Sequence, residues 1–328
     1  MYAILSLLAI LLSSFGNSFT MPSSSLRSRK NPGTPNQNNK PYVRKFPLRG
    51  GSTFTHLPIP LITSTKQLLV ANGLGLLISL LTKSHLHLDL LGTGAFAVAA
   101  FSVSSQGNAI TKLSTICIST WALKLASFLF YRATILKHDA RLDVTLSKIN
   151  GTVGFWIVSF LWGFALSLTH ALGAVAPGKR NIGLPAISKC GLALYLVGLT
   201  IETTADWQKW SFKSESANAG LFCNAGLWGL SQHPNYLGNL MLWTGIFTLN
   251  LPNLWGAGWR RVVAAGSSLV FLYCLFWSQF AGNDLIPTND LADAKYGEVS
   301  GYWAYKNDTP LLVPGLKAMW ALVSNTGR

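Results

Sequence analysis

Residues 226–247 read GLWGLSQHPNYLGNLMLWTGIF. The middle is polar: Ser231, Gln232, His233, Asn235 and Asn239 crowd around Pro234. Pro234 has no amide hydrogen and biases His233 towards extended backbone. Gly238 lets another backbone or a ligand come close. From there on, Tyr236, Leu237, Leu240, Met241, Trp243, Thr244 and Phe247 recur at helical spacing. The stretch therefore predicts a polar loop feeding the N-terminus of an apolar helix beside a membrane. Unpaired amides and the positive end of a helix dipole suit such a place to phosphate. Equally consistent with these residues alone is a plain proline-initiated helix with His233 as a neighbour.

The remainder of the chain supports the membrane setting. Its 328 residues are 49% hydrophobic and only 11% charged, against about 25% charged in soluble domains. Long apolar runs recur, which excludes an ordinary soluble helical protein. The expected fold class is all-α, a polytopic membrane helix bundle with about seven transmembrane helices after a cleavable leader. Candidate spans are 66–82, 90–106, 112–132, 151–173, 187–205, 236–254 and 262–281. The first two are rich in Gly, Ala and Ser, which favours close helix packing.

Net charge is +15, and Arg27, Arg29, Lys30, Lys40, Arg44, Lys45 and Arg49 supply much of it. This placement argues against nucleic acid as a partner, and the remaining basic residues, scattered at helix ends, suit lipid headgroups or an anionic cofactor. Residues 1–20 have the short apolar stretch of a signal peptide. Residues 21–64 form a basic, Ser/Pro/Asn-rich segment that cannot build a core, and Pro58 and Pro60 mark its end as loop. Residues 65–328 form the membrane domain. Such a two-part leader resembles those of plastid proteins in algae with secondary plastids, so a plastid membrane is expected, with the endoplasmic reticulum as the alternative. The four cysteines are scattered and include no CxxC, and the histidines are dispersed, so no metal site is expected.

Two further stretches carry polar residues into apolar surroundings. Lys124 lies inside a run that begins at Trp121, where a charge must be paired, must reach towards water, or must have a function. Asp139 and Arg141 follow in a loop, where an ion pair is expected. Glu202, Asp206, Lys209 and Lys213 are spaced four, three and four apart, so a helix places them on one face.

GLWxxSxHPNYxG at 226–238 resembles the C-terminal signature of the steroid 5-alpha-reductase-like membrane proteins, in the DUF1295 branch. Three more stretches are similar in order: Lys124 with Asp139 and Arg141, Glu202 to Asn218, and YxxYKxxTPxLxP at 302–314. The resemblance covers 112–316. Departures occur at Gln232, where that family has arginine, at Asn239, where it has glutamate, at Lys124, another arginine position, and at 288–293.

The resemblance implies a membrane oxidoreductase. Hydride from NADPH would reduce a carbon–carbon double bond conjugated to a carbonyl in a hydrophobic, lipid-like or steroid-like substrate. It further implies Asp206, Lys209, Asn218, His233, Asn235 and Tyr305 as cofactor-binding residues. The acid that polarises the carbonyl is assigned to Tyr236 or Glu202, with Tyr131 as a further choice. No GxGxxG fingerprint is present, which argues against a Rossmann domain. One alternative is an S-adenosylmethionine-dependent membrane methyltransferase of the isoprenylcysteine type, which carries a related RHPxYxG element. Asn235 and the ADWQK stretch at 205–209 favour the reductases. Another is a non-catalytic membrane protein that retains the fold, for which Gln232 and Asn239 speak.

Overall fold

The computed structural model describes residues 57–84, 86–136, 146–174, 183–280 and 288–315. The described residues are helical, and the compact helical unit begins at Pro58. The helices are α1 (Ile59–Thr82), α2 (Leu88–Gly92), α3 (Ala95–Ser102), α4 (Ala109–Leu136), α5 (Ile149–Gly173), α6 (Ala186–Ser214), α7 (Pro234–Gly256), α8 (Trp259–Phe280), α9 (Thr288–Tyr296) and α10 (Tyr302–Asp308). Among the described residues, six segments are long and apolar enough to cross a bilayer: α1, Leu88–Gln106, α4, α5, α6 and most of α8. The protein is thus a multi-pass helical membrane protein. The expected span at 236–254 is also a helix, α7, but it falls outside the six. Asn235, Asn239, Asn250 and Asn253 lower its apolar character.

Three boundaries differ from expectation. Pro58 and Pro60 do not prolong a loop; they start α1, because proline fits the first helical turn, where an amide has no partner. The second span is not continuous. It turns at Thr93 and Gly94 and ends in a 3-10 turn at Ser104–Gln106. The fifth runs on to Ser214, so Glu202, Asp206, Lys209 and Lys213 do share one helix.

The tightest packing joins α6 to α7, which run antiparallel. Gly191 and Gly198 on α6 face Gly245 and Gly238 on α7. A Cβ on Gly198 would lie 2.5 Å from the Leu242 amide nitrogen, and one on Gly238 would lie 2.5 Å from that of Glu202. Each glycine pair is spaced by seven residues, so both fall on one helical stripe and the two backbones touch along it. Lipid offers helices no hydrophobic reason to pair, so this close approach is the main attraction between them.

Two buried groups tie the other helices to this pair. The rings of Trp121 and Trp243 meet edge to face at 5.0 Å, and Phe96 packs against both and against Trp162. Nearer one end, His170 on α5 lies 3.1 Å from the Ala100 carbonyl through Nε2 and 3.0 Å from Ser114 Oγ through Nδ1. A carbonyl only accepts, so Nε2 donates to it. Asn250 on α7 donates to Ser114 at 2.8 Å, leaving the Ser114 hydroxyl to donate to Nδ1. Four segments are therefore joined without a charge partner. At the same end Asn108, just before α4, exchanges hydrogen bonds with Asn253 near the close of α7. The start of α4 is thus level with the end of α7, and exposed Trp255 and Trp259 mark a membrane interface there.

Candidate functional site

The glycine stripe decides what meets at the opposite end. Because Gly238 touches the backbone of Glu202, the next residue of α7, Asn239, lies against the Glu202 side chain. Asn239 Nδ2 donates to Glu202 Oε1 at 3.2 Å, and Trp121 Nε1 donates to the same oxygen at 3.3 Å. One turn further along α6 and one turn back along α7, Asn235 Nδ2 donates to Asp206 Oδ1 at 3.2 Å. Lys124 spans the two rungs from α4. Its Nζ is 3.3 Å from Glu202 Oε2 and 4.0 Å from Asp206 Oδ2. Glu202 is only 4% exposed, so an unpaired carboxylate there would be costly in this setting. The cluster holds two carboxylates against one ammonium. Asn239 Oδ1 is buried and accepts no hydrogen bond from the described residues.

Basic groups and the N-terminus of α7 surround this cluster. Arg132 stands eight residues beyond Lys124 on α4, so the two share a helical face. Lys209 Nζ lies 4.1 Å from the centre of the Trp228 ring, a cation–π contact. Trp228 donates through Nε1 to the Ala205 carbonyl at 2.8 Å, which seats the Gly226–Gly229 turn on α6. Gln208 completes this seat by accepting from the Leu227 amide, beside Gly226 at φ +58°. His233 precedes α7 as its N-cap residue and makes no side-chain cap bond, while Asn235 Oδ1 accepts from the Tyr236 amide at 3.1 Å within the first turn. The His233 ring stacks on Tyr236 at 5.2 Å, and Tyr236 packs on Phe276 at 4.7 Å.

The closing motif folds back over this loop. Gln232 holds it there: its Nε2 donates to the carbonyls of Lys306 and Thr309 at 2.8 and 2.6 Å, and its backbone amide donates to the Pro310 carbonyl at 2.9 Å. Ser231 Oγ donates to Leu312 at 2.7 Å. Tyr305 OH donates to the Trp228 carbonyl at 2.8 Å, and burial pushes its phenol up to about 12. Lys306 holds Asp293 through both carboxylate oxygens at 2.6 and 2.5 Å, and Tyr302 OH adds a third contact at 2.7 Å. Desolvation raises the Asp293 carboxyl, but the hydrogen bonds from Lys306 and Tyr302 outweigh it and leave it below the usual aspartate range.

Of the residues expected from sequence, Glu202, Asp206 and Asn235 come together. Lys209, His233, Tyr236 and Tyr305 lie on the loop and helix ends around them. Asn218 does not join them. It donates to the Phe212 carbonyl and to Glu215, both at 3.0 Å, and so closes the end of α6. Tyr131 is exposed and turns its ring to Trp210. Asp139 and Arg141 lie outside the described residues. Sequence reasoning left Lys124 without a partner and treated Asn239 only as a loss. The signal for both was present, since Lys124 is a charge inside an apolar run and Asn239 stands one turn beyond Asn235.

The structure defines a multi-pass helical membrane protein with a buried polar cluster where its two most closely packed helices meet. A family model described as "Protein of unknown function (DUF1295)" matches residues 75–309, and the chain belongs to this family. The match begins within α1, ahead of residue 112, where the motif resemblance starts. No curated protein and no solved structure matches the chain.

Proposed function

We propose that this protein is a membrane reductase that uses NADPH to saturate a carbon–carbon double bond conjugated to a carbonyl in a lipid-like substrate. The observation that supports this best is the Lys124–Glu202–Asp206 cluster beside the N-terminus of α7. Its donor set suits a nicotinamide dinucleotide. Arg132, Lys209 and the positive end of the α7 dipole provide positive charge for phosphates. Asp206 and the unfilled Asn239 Oδ1 accept from hydroxyl or carboxamide donors. Tyr305 and His233 border the same loop. NADPH, when bound, supplies hydride; the chain supplies the anchoring and the acid.

Negative charge develops on the carbonyl oxygen as the double bond is reduced, and a positioned donor lowers that barrier. Glu202 Oε2 lies 3.3 Å from the Lys124 ammonium, and as its carboxylate partner Glu202 orients Lys124 instead of donating. The donor is therefore the Lys124–Glu202 pair, with the Tyr236 hydroxyl as the second choice. The support lies in this donor set and not in a cavity. A recess of about 450 Å³ lies at the opposite end of α4, beside Lys112. The seating of Gln232 on the closing segment, at a position where the resembling family has arginine, favours the non-catalytic reading instead.

Titrating the purified protein with NADPH and, separately, with S-adenosylmethionine distinguishes the readings. NADPH alone should bind, and Lys209→Ala and Asp206→Ala should each weaken it about tenfold, as loss of one charge-assisted contact does. Binding of S-adenosylmethionine alone refutes the reductase reading, and binding of neither supports the non-catalytic one. Comparing lipids of cells with and without the protein then identifies the bond reduced. The plastid assignment rests on residues 1–64 and is tested by whether they carry a fluorescent reporter into plastids or leave it in the endoplasmic reticulum.

A further inference from the structure

The recess at the other end of the helices has a chemistry of its own. It sits where the second span turns into α4, and its polar lining is Ser104, Ser105, Lys112 and Thr115. Phe101 and Ile116 flank it, and both are largely exposed, at 72% and 62%. The recess is therefore polar at its base and apolar on its outer wall. Thr115 is buried and reaches His170 Nε2 at 3.4 Å, so its floor is part of the network that joins four segments. Asn108 Oδ1 already accepts from the amides of Ile110 and Thr111. The helix end itself is thus occupied. The Thr115 hydroxyl donates within the fold, to the Thr111 carbonyl at 3.0 Å, and the attraction for an anion comes from Lys112 and the hydroxyls of Ser104 and Ser105. The level of Trp255 and Trp259 places the recess at a membrane interface.

We propose that this recess binds the headgroup of an anionic phospholipid. The phosphate lies against Lys112 and the hydroxyls of Ser104 and Ser105, above the Thr115 floor, and an acyl chain runs along Phe101 and Ile116. A lysine and hydroxyls match phosphate, and exposed Phe and Ile beside them match a chain that never leaves the bilayer. The site lies at the opposite end from the proposed dinucleotide, so it stands or falls independently of the reductase reading.

The test is mass spectrometry of the intact, detergent-purified full chain with phosphatidylglycerol, phosphatidylcholine or inorganic phosphate. Phosphatidylglycerol should be retained in preference to phosphatidylcholine. Lys112→Ala should lower that retention about fivefold, as expected for one basic residue at an anionic lipid surface. Ser105→Trp keeps every charge but fills the recess, and it should abolish retention while leaving helix content unchanged. Lys189→Ala, which removes an exposed lysine from the start of α6, should change nothing. Equal retention of both lipids, an unaltered Lys112→Ala or Ser105→Trp protein, or phosphate binding that the lipid does not displace would each overturn the proposal.

Discussion

Replacing Lys124 by methionine tests the cluster most directly. Methionine keeps the length and apolar stem of lysine and deletes only the ammonium. Glu202 Oε2 then loses a partner at 3.3 Å and Asp206 one at 4.0 Å. Removing one member of a fully buried pair costs about 3–5 kcal/mol, because the other charge is stranded. The Lys124 side chain is 23% exposed against 5% for Glu202, which places the cost near the low end, about 3 kcal/mol. Glu202→Gln is milder. Glutamine still accepts from Trp121 and Asn239, and Lys124 keeps Asp206, so the loss is about 1 kcal/mol. In the double variant only Asp206 is stranded, and the two losses should fall short of additive by about 1–2 kcal/mol. Thermal unfolding in detergent, followed by tryptophan fluorescence, should show Lys124→Met lowering Tm by roughly 6–10 °C. An unchanged Tm would mean that Lys124 merely reaches towards water. Strict additivity in the double variant would refute the pairing even if both single variants are destabilised.

Other tests address the frame around the cluster. Gly198→Ala would drive a methyl to 2.5 Å from the Leu242 backbone and should cost about 1–3 kcal/mol; Gly154→Ala has open space and should stabilise by up to about 1 kcal/mol, so the two Tm shifts should have opposite signs. His170→Phe leaves Ser114 and the Ala100 carbonyl without their shared partner and should cost about 1–3 kcal/mol in the same assay. Asp293 is held below its ordinary value, so its contacts with Lys306 and Tyr302 contribute stability above the unfolded value of about 3.9 and lose it as pH falls further. Limited proteolysis between α9 and α10 should therefore accelerate below about pH 4, and Asp293→Asn should remove that dependence.

Much of the fold was legible because hydropathy is a local property. A bilayer demands runs of apolar residues, and each of the seven expected spans corresponds to helix. The start of α7 at Pro234 was readable from proline geometry alone. The break at Thr93 and Gly94 was not, since an apolar run does not reveal where its backbone turns. Half of the cluster was also visible, because Glu202 and Asp206 share a helical face. That Lys124 and Asn239 pair with them was not, because these residues are distant in sequence and become neighbours only once the helices are assembled.

By itself the sequence determined a membrane bundle, its family signature, and which residues would be polar among lipids. Tertiary structure decided what those polar residues touch. Four glycines without side chains let α6 and α7 meet backbone to backbone, and that contact sets the register in which Asn239 reaches Glu202 and Asn235 reaches Asp206. It also converted Gln232 from a missing arginine into the seat of the closing segment. Composition carries no record of such meetings, because a hydrogen bond across helices depends on where two backbones come to rest.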